Sequence, residues 1–527
     1  MILPDRNTKS IMEYGDYQTP ANFAKAVCGK LAHFYKLPVD VILEPTFGTG
    51  NFIHEALIAF PGAHSLYGIE INKDYYNAAL RLANTTKVKL FNSDVFNFDF
   101  GDIKKNISAE ESLLIIGNPP WVTSAQLSSL RSANIPAKSN FKKHAGLAAM
   151  TGKGNFDIAE NIILKLLNDF SDYNCTLAML CKTIVAKNII QEIRKYAFPM
   201  ASMDLFIFNA NEIFGVNCDA GLLVVRLGYP KTKTCSVYDF YTSEKQKEFG
   251  WCDDAFYSDT QYYGLHANID GKCQYEWRQG VKHDCSKVME LQTIDSMLFQ
   301  NGLGEVLKFQ PGRYVFPLVK SSDLKSYSII QTHKFVIVPQ RRVHDDTAQI
   351  QFQDPDIWEY LQRHEHHFAA RRSAIYKSAP KYSIFGIGDY SFAKYKVGVS
   401  GFYKEPFFAL IWGEYPMMMD DTCYFLAFEK FCDALITLSL LNSSECLDFL
   451  KSIAFLDSKR PYTKEILQRI DLEKLADCVG FAHIHNFIRS TFPDAVLSPA
   501  DFENYRSALS SRQPDLFSRS YNLIART

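Results

Sequence analysis

Several features that would decide a protein's class outright are missing from this chain. Its 12 cysteines form no Cys-x-x-Cys pair, which removes the common zinc and dithiol spacings. No signal or membrane-length apolar run interrupts it, and unpatterned cysteines then fit reduced thiols in the cytoplasm. There is no internal repeat and no low-complexity tract, so neither a solenoid nor a disordered array is in question. Charge of one sign is not in excess: 57 Lys and Arg face 58 Asp and Glu, a net charge of −1. That is a mild objection to a duplex-binding protein, met if the basic residues line one cleft. The Gly-Lys-Ser/Thr ending of a phosphate loop is absent, and the Gly-x-Gly-x-x-Gly fingerprint is incomplete, with Ile53 in the third position.

What is present is a series of strand-like apolar runs, each ending in a hydrogen-bond acceptor. Val39–Leu43 ends at Glu44, Ser65–Ile69 at Glu70, Val88–Phe91 near Asp94, and Leu113–Gly117 at Asn118. The steps of 26, 24 and 24 residues match one strand, one helix and two short loops, the repeat of a parallel α/β sheet whose ligands bind at the carboxyl ends of the strands. Glu44-Pro45-Thr46-Phe47-Gly48-Thr49-Gly50 carries two glycines that permit a tight turn and close approach of backbone to a ligand. Glu70 stands 20 residues after Gly50, where an acid accepts both hydroxyls of a ribose. Asp94 is positioned to accept an exocyclic amine, and an acid in the first turn suits a cationic ligand. Asn118-Pro119-Pro120-Trp121 supplies freed carbonyls, a side-chain acceptor and an aromatic face, which suits a planar amino group on a planar base. Singly, each acid reads equally well as a solvated strand end. Together the four read as one site.

These motifs resemble the gamma-type S-adenosylmethionine-dependent DNA adenine-N6 methyltransferases of restriction–modification systems, strongly over residues 14–227. Tyr17-Gln18-Thr19-Pro20 matches the family's N-terminal cofactor motif, and Leu43–Gly50 its glycine motif, with Thr46-Phe47 in place of the commoner Ala-Cys. Gly68-Ile69-Glu70-Ile71 and Asn92-Ser93-Asp94-Val95 match its ribose and adenine motifs. Asn118–Trp121 matches its catalytic tetrapeptide, with Trp where Tyr or Phe is usual. The resemblance implies S-adenosylmethionine held by Gln18, Thr19, Glu44, Pro45, Thr46, Gly48, Gly50, Glu70, Ile71, Asp94, Val95, Asn118 and Phe156. It implies catalysis by Asn118, Pro119, Pro120 and Trp121, with Phe214 stacking on the second face of an adenine flipped out of double-stranded DNA. Adenine N6 is preferred over cytosine N4 because Asn rather than Ser stands at 118, and no Pro-Cys nucleophile marks cytosine C5 chemistry.

Three later apolar runs, Thr176–Leu180, Leu205–Phe208 and Gly221–Leu227, complete a seven-stranded Rossmann-like methyltransferase domain, expected over residues 1–240 with helices such as Ile158–Leu167 and Ala186–Tyr196 between strands. The segment 122–156 holds Arg131, Lys138, Lys142, Lys143 and Lys153 but no acid; it reads either as a solvated loop or as a basic loop that meets phosphates. Residues 241–430 are expected to form a mixed α+β target-recognition domain, followed by a helical C-terminal part over 431–527. Arg341, Arg342, Lys394 and Lys396, with Lys142 and Lys143, are its candidate DNA contacts, as is the Arg371-Arg372 pair. His364-x-His366-His367 is read as a polar helix face and no metal is expected, because no second ligand cluster lies near it in sequence. A separate restriction endonuclease is left open as a partner. An internal nuclease is disfavoured: Pro493-Asp494 with Glu503 lacks the following lysine, Tyr505 standing in its place, and little chain precedes Tyr17. Methylation of RNA or of a protein amide, and a non-catalytic DNA binder, remain the alternatives.

Overall fold

The computed structural model describes residues 17–83, 86–122, 157–196, 198–456 and 458–511. The chain divides into two compact units, 1–261 and 262–527. The expected boundary at 240 falls inside the first unit, because two strands beyond it continue its sheet.

The first unit is built on ten strands: β1 (Val41–Glu44), β2 (Ser65–Glu70), β3 (Val88–Asn92), β4 (Ser112–Gly117), β5 (Asn174–Lys182), β6 (Met200–Asn209), β7 (Asp219–Leu227), β8 (Thr234–Asp239), β9 (Lys245–Cys252) and β10 (Ala255–Tyr257). They lie in the order β10-β9-β8-β6-β7-β5-β4-β1-β2-β3, so among the described residues the sheet has ten strands rather than the expected seven. β1 pairs parallel with both β2 and β4, and β4 with β5. β7 runs antiparallel between β5 and β6. After β3 the chain crosses to the other side of β1, so strand order reverses there. That reversal opens a crevice at the carboxyl ends of β1 and β4, where doubly wound sheets bind ligands.

The central strands read as continuous apolar runs because both faces are covered. Leu113, Leu114, Ile115 and Ile116 of β4 are all buried, each contributing roughly 1.5–3 kcal/mol by leaving water. Helix α1 (Ala21–His33) buries Phe23, Ala24, Val27, Cys28 and Leu31, a single stripe at helical spacing. Helices α2 (Asn51–Ala59), α3 (Lys73–Ala79), α4 (Gly101–Lys104), α5 (Ile158–Asp169), α6 (Thr183–Gln191) and α7 (Ala210–Phe214) follow in order. Asn72 caps α3 by accepting from the Asp74 amide at 2.9 Å, and Asp157 caps α5 by accepting from Ala159 at 3.0 Å.

The second unit has a six-stranded sheet around Val315–Val319 and Lys334–Ile337, and a five-stranded sheet around Tyr395–Ser400 and Cys423–Phe428. Helices Phe431–Leu441, Ser444–Ile453, Leu472–Thr491 and Pro499–Ser511 end it. Between the second and third of these, Lys464–Leu467 forms a four-residue helix. Asp471 starts the next helix by accepting from the Glu473 and Lys474 amides.

Candidate functional site

Every acceptor marked by the strand-end pattern lies in the first unit, at the carboxyl edge of β1 to β4. Glu44 is the last residue of β1 and is buried. Gly117 closes β4 beside it, where a Cβ would be in ordinary contact, 3.6 Å from Glu44 Cγ and 3.7 Å from Pro45 Cδ. Glu70 ends β2, with Oε2 accepting from the Gly48 amide at 2.8 Å and Oε1 from the Asn72 amide at 2.7 Å. The second acid thus shapes the glycine turn after the first. Gly48 has φ of +53° and Gly50 of +81°, conformations that side-chain-bearing residues rarely adopt.

Tyr17, Gln18 and Thr19 cross over this turn. Gln18 Oε1 accepts from the Thr49 amide at 2.9 Å and from Thr49 Oγ1 at 3.0 Å, and Asn51 Nδ2 donates to the Thr19 carbonyl at 2.7 Å. The Tyr17 carbonyl accepts from Asn118 Nδ2 at 2.8 Å. One short segment therefore holds both the glycine turn and the Asn-Pro-Pro-Trp turn.

Three buried oxygens at this edge have no hydrogen-bond partner among the described residues: Glu44 Oε2, Thr46 Oγ1 and Asn118 Oδ1. Unpaired buried polar atoms are costly, on the order of 1–3 kcal/mol each. Burial, and then the nearby charge of Glu70, push the Glu44 carboxyl well above the ordinary glutamate range. A buried acid with an unmet oxygen is a seat for a cationic ligand. Ile71, just past β2, is half exposed and offers an apolar face there. Asp94 turns its own chain, accepting from the Phe96 amide at 2.9 Å and from Asn97 Nδ2 at 2.8 Å, with Val95 buried behind it.

Trp121 is buried. Its indole N–H donates to the Leu180 carbonyl at 3.2 Å, and its ring centroid is 5.2 Å from that of Phe214 and 6.2 Å from that of Tyr17. Phe214 closes α7 with Gly215 in the left-handed conformation after it. The two aromatic residues separated so widely in sequence are thus neighbours, although their planes are inclined at 70°. Pro119 is buried and Pro120 half-buried.

Phe156, Lys142 and Lys143 lie outside the described residues. In the second unit, Arg341 is exposed with its guanidinium 4.2 Å from the Phe392 ring centroid, Arg342 donates to Asp389 through Nε at 3.1 Å, and Lys394 sits 5.4 Å from the Tyr395 ring centroid. Arg371 is part-buried, donating to the Ser383 carbonyl at 2.7 Å. Lys396 departs from expectation: it is fully buried, with Nζ donating to the Ala393 carbonyl at 2.7 Å. Its strand lies between two others, so a neighbour covers each edge and the core covers its side chain. His364, expected on a solvated helix face, is also buried, its Nε2 2.9 Å from Glu305 Oε2.

Sequence reasoning passed over Lys182 and Asp157. Lys182 Nζ donates to the Trp121 carbonyl and to Asp157 Oδ2, both at 2.9 Å. Nothing in the sequence marks a lysine at a strand end as anything but solvated charge.

No family model matches the chain. The type II methyltransferase M.NspV of Nostoc sp. (strain ATCC 29411 / PCC 7524) is 38% identical over 478 residues, 89% of this chain and 98% of that protein. The modification methylase CviBIII of Paramecium bursaria Chlorella virus NC1A is 24% identical over 213 residues, 40% of this chain and 49% of that one. Among solved structures, the type IIL restriction-modification enzyme MmeI, in complex with DNA, superposes with a TM-score of 0.52 at 14% identity, covering 97% of this chain and 77% of that one. The likeness to MmeI is one of fold.

Proposed function

The chain belongs to the type II DNA methyltransferases of restriction–modification systems, and from that premise we propose that it moves the methyl group of S-adenosylmethionine to N6 of an adenine flipped out of duplex DNA. One observation carries the reading. Asn118 donates an amide N–H to the Tyr17 carbonyl and leaves Oδ1 without a partner among the described residues, at the mouth of the β1–β4 crevice. That oxygen is an acceptor fixed in direction and waiting for a donor.

The residues present fit the cofactor. Glu44 faces the cationic methionine end, with Gln18, Thr19, Pro45 and Thr46 around it; the Gly48 and Gly50 backbone lets that end come close. Glu70 is the acceptor for the ribose hydroxyls, and Ile71, Asp94 and Val95 take the adenine. When bound, S-adenosylmethionine supplies a methyl group on a positively charged sulfur, which needs no further activation by the protein.

The work left to the chain is orientation. Extruding the target base costs a few kcal/mol, and stacking on Trp121 and Phe214 returns about 1–3 kcal/mol per base. Asn118 Oδ1 and the Pro119 carbonyl accept the two N–H bonds of the exocyclic amine, drawing the nitrogen towards a tetrahedral shape and directing its lone pair at the methyl carbon. Held by Glu44, Glu70 and the glycine turn, the cofactor would supply its methyl carbon to that lone pair and leave as a neutral thioether, and the surplus proton would then depart from the nitrogen. Positioning and electrostatics account for catalysis. Asparagine at 118 supports adenine N6 over cytosine N4. In the second unit Arg341, Arg342 and Lys394 contact DNA, and the modified site is spared by a cognate endonuclease.

The test is methyl transfer from labelled S-adenosylmethionine to unmethylated genomic DNA, followed by nucleoside separation. Label in N6-methyldeoxyadenosine is expected. Label in N4-methylcytosine would overturn the base assignment, and none in DNA would overturn the substrate.

A further inference from the structure

Lys182 closes β5 at the edge of the crevice, and it is only about a fifth exposed. Its ammonium makes two directed bonds, to the Trp121 carbonyl and to Asp157 Oδ2, each 2.9 Å. Asp157 is buried and bound on its other oxygen by the Ala159 amide at 3.0 Å, so it is fixed as the cap of α5. Beside this, the Ile158 amide donates to the Val122 carbonyl at 2.9 Å. Two residues back along β5, the Leu180 carbonyl takes the indole N–H of Trp121. β5 therefore grips Trp121 at both its ring and its main chain.

A buried ion pair is a weak source of stability, since apolar side chains of like volume often do as well. Its directed bonds give geometry instead. Pro119 and Pro120 have fixed φ, so the direction of the chain at Trp121 is passed back to Asn118 with little slack. We propose that Lys182 is a positioning residue for methyl transfer: by tying the Trp121 carbonyl to the Asp157 cap of α5, it sets where Asn118 Oδ1 and the Pro119 carbonyl meet the target amine. The inference rests on the methyl-transfer reading above.

The experiment uses the full chain with K182M, K182R and D157N, comparing steady-state methyl transfer, S-adenosylmethionine affinity by calorimetry, and the near-ultraviolet circular dichroism of Trp121, isolated by subtracting W121F. For K182M, kcat is expected to fall about 10- to 100-fold, the cost of a small misplacement of reacting groups. Cofactor affinity should fall far less than kcat, because Lys182 touches neither Glu44, Glu70 nor the glycine turn. K182R, which keeps the charge and two or more donors, should recover much of the loss, and the Trp121 band should change in K182M. An unaltered kcat in K182M overturns the proposal, as does K182R falling as far as K182M. Should K182M not fold, D157N decides: a lowered kcat with unchanged cofactor affinity supports the tie, and a wild-type kcat overturns it. Wild-type protein that transfers no methyl group to DNA would defeat the functional reading alone. The tie between Lys182 and Trp121 is then judged by the dichroism band, which needs no turnover; a band unchanged in K182M overturns it.

Discussion

The rings of Trp121 and Phe214 meet edge to face, centroids 5.2 Å apart and planes at 70°. A base held between two rings needs them parallel and about two stacking distances apart, so one of the pair must turn aside. Trp121 is bound at its indole N–H and at its carbonyl, whereas Phe214 is half-buried at the end of a five-residue helix. If the proposed base flipping holds, Phe214 is the ring expected to turn. Phe214→Ala should lower kcat/KM on duplex DNA by roughly 10- to 100-fold, equivalent to losing about 1–3 kcal/mol of stacking, while Phe214→Tyr keeps most activity. 2-Aminopurine at the target position reports the same loss as a changed emission of the extruded base. An emission and rate equal to wild type in Phe214→Ala would remove Phe214 from the site.

Asn118→Ala separates catalysis from binding. It removes the one directed acceptor whose Nδ2 is already committed to Tyr17. Methyl transfer should fall by at least about 100-fold, in the range seen when one preorganised polar group of an active site is deleted. Cofactor affinity should fall far less, since Glu44, Glu70 and the glycine turn remain. A binder without activity would be indifferent in every assay.

Much of this site was legible because its chemistry sits at strand ends. Apolar runs that stop at Glu44, Glu70, Asp94 and Asn118 specify both the strands and the edge they share, and β1 to β4 pair as that spacing implies. What was not legible depends on neighbours in space. β9 opens Lys245-Gln246-Lys247-Glu248, charge without the apolar alternation of a strand, and only its pairing with β8 makes it one. Lys394 and Lys396 look alike in sequence, yet only the second lies within a strand covered on both sides. Lys182 gains its role solely from the Trp121 carbonyl and Asp157, which no local pattern places beside it.

With Glu44 at the proposed cofactor seat, binding is expected to depend on pH. Burial first, and the charge of Glu70 second, raise its folded-state pKa well above the ordinary glutamate value. Below that ordinary value Glu44 is protonated folded or unfolded and contributes nothing. As pH rises above it the unfolded chain ionises first, so the ligand-free protein loses stability towards neutrality. A cation bound beside Glu44 favours the carboxylate, and binding should release a proton. Calorimetry in buffers of different ionisation enthalpy reads that release directly. Glu44→Gln should abolish it, weaken binding and flatten the stability slope; proton release equal to wild type would assign the effect to another group.

Gly48 is held by geometry. A Cβ there would lie 2.5 Å from Gln18 Oε1, and φ is +53°. Gln18 can retreat only by giving up the amide and hydroxyl of Thr49. Gly48→Ala should therefore cost about 1–2 kcal/mol from the left-handed backbone alone, seen as a lower melting temperature. It should also weaken S-adenosylmethionine binding, because the Gly48 amide that orients Glu70 shifts with it. A variant with both values unchanged would show that the turn is not the cofactor's seat.

The second unit offers a contrast between two lysines that resemble each other in sequence. Lys394 lies against the Tyr395 ring at the surface and Arg341 against Phe392, so both are free to meet phosphate. Lys394→Ala and Arg341→Ala should each weaken DNA binding across sequences and reduce the slope of log K against log salt by about 1. Lys396→Met should leave that slope unchanged, and change stability instead. Burial lowers the Lys396 pKa to about 7, against an opposing pull from Glu429. Above the ordinary lysine value the group is neutral in both states and contributes nothing. Between that value and about 7 only the unfolded chain binds the proton, so stability declines as pH falls, and the full penalty stands below it. Lys396→Met removes this decline, and its melting temperature should equal or exceed wild type at neutral pH. A steeper loss of stability, or a salt slope reduced as in Lys394→Ala, would mean that Lys396 reaches the surface when DNA is bound.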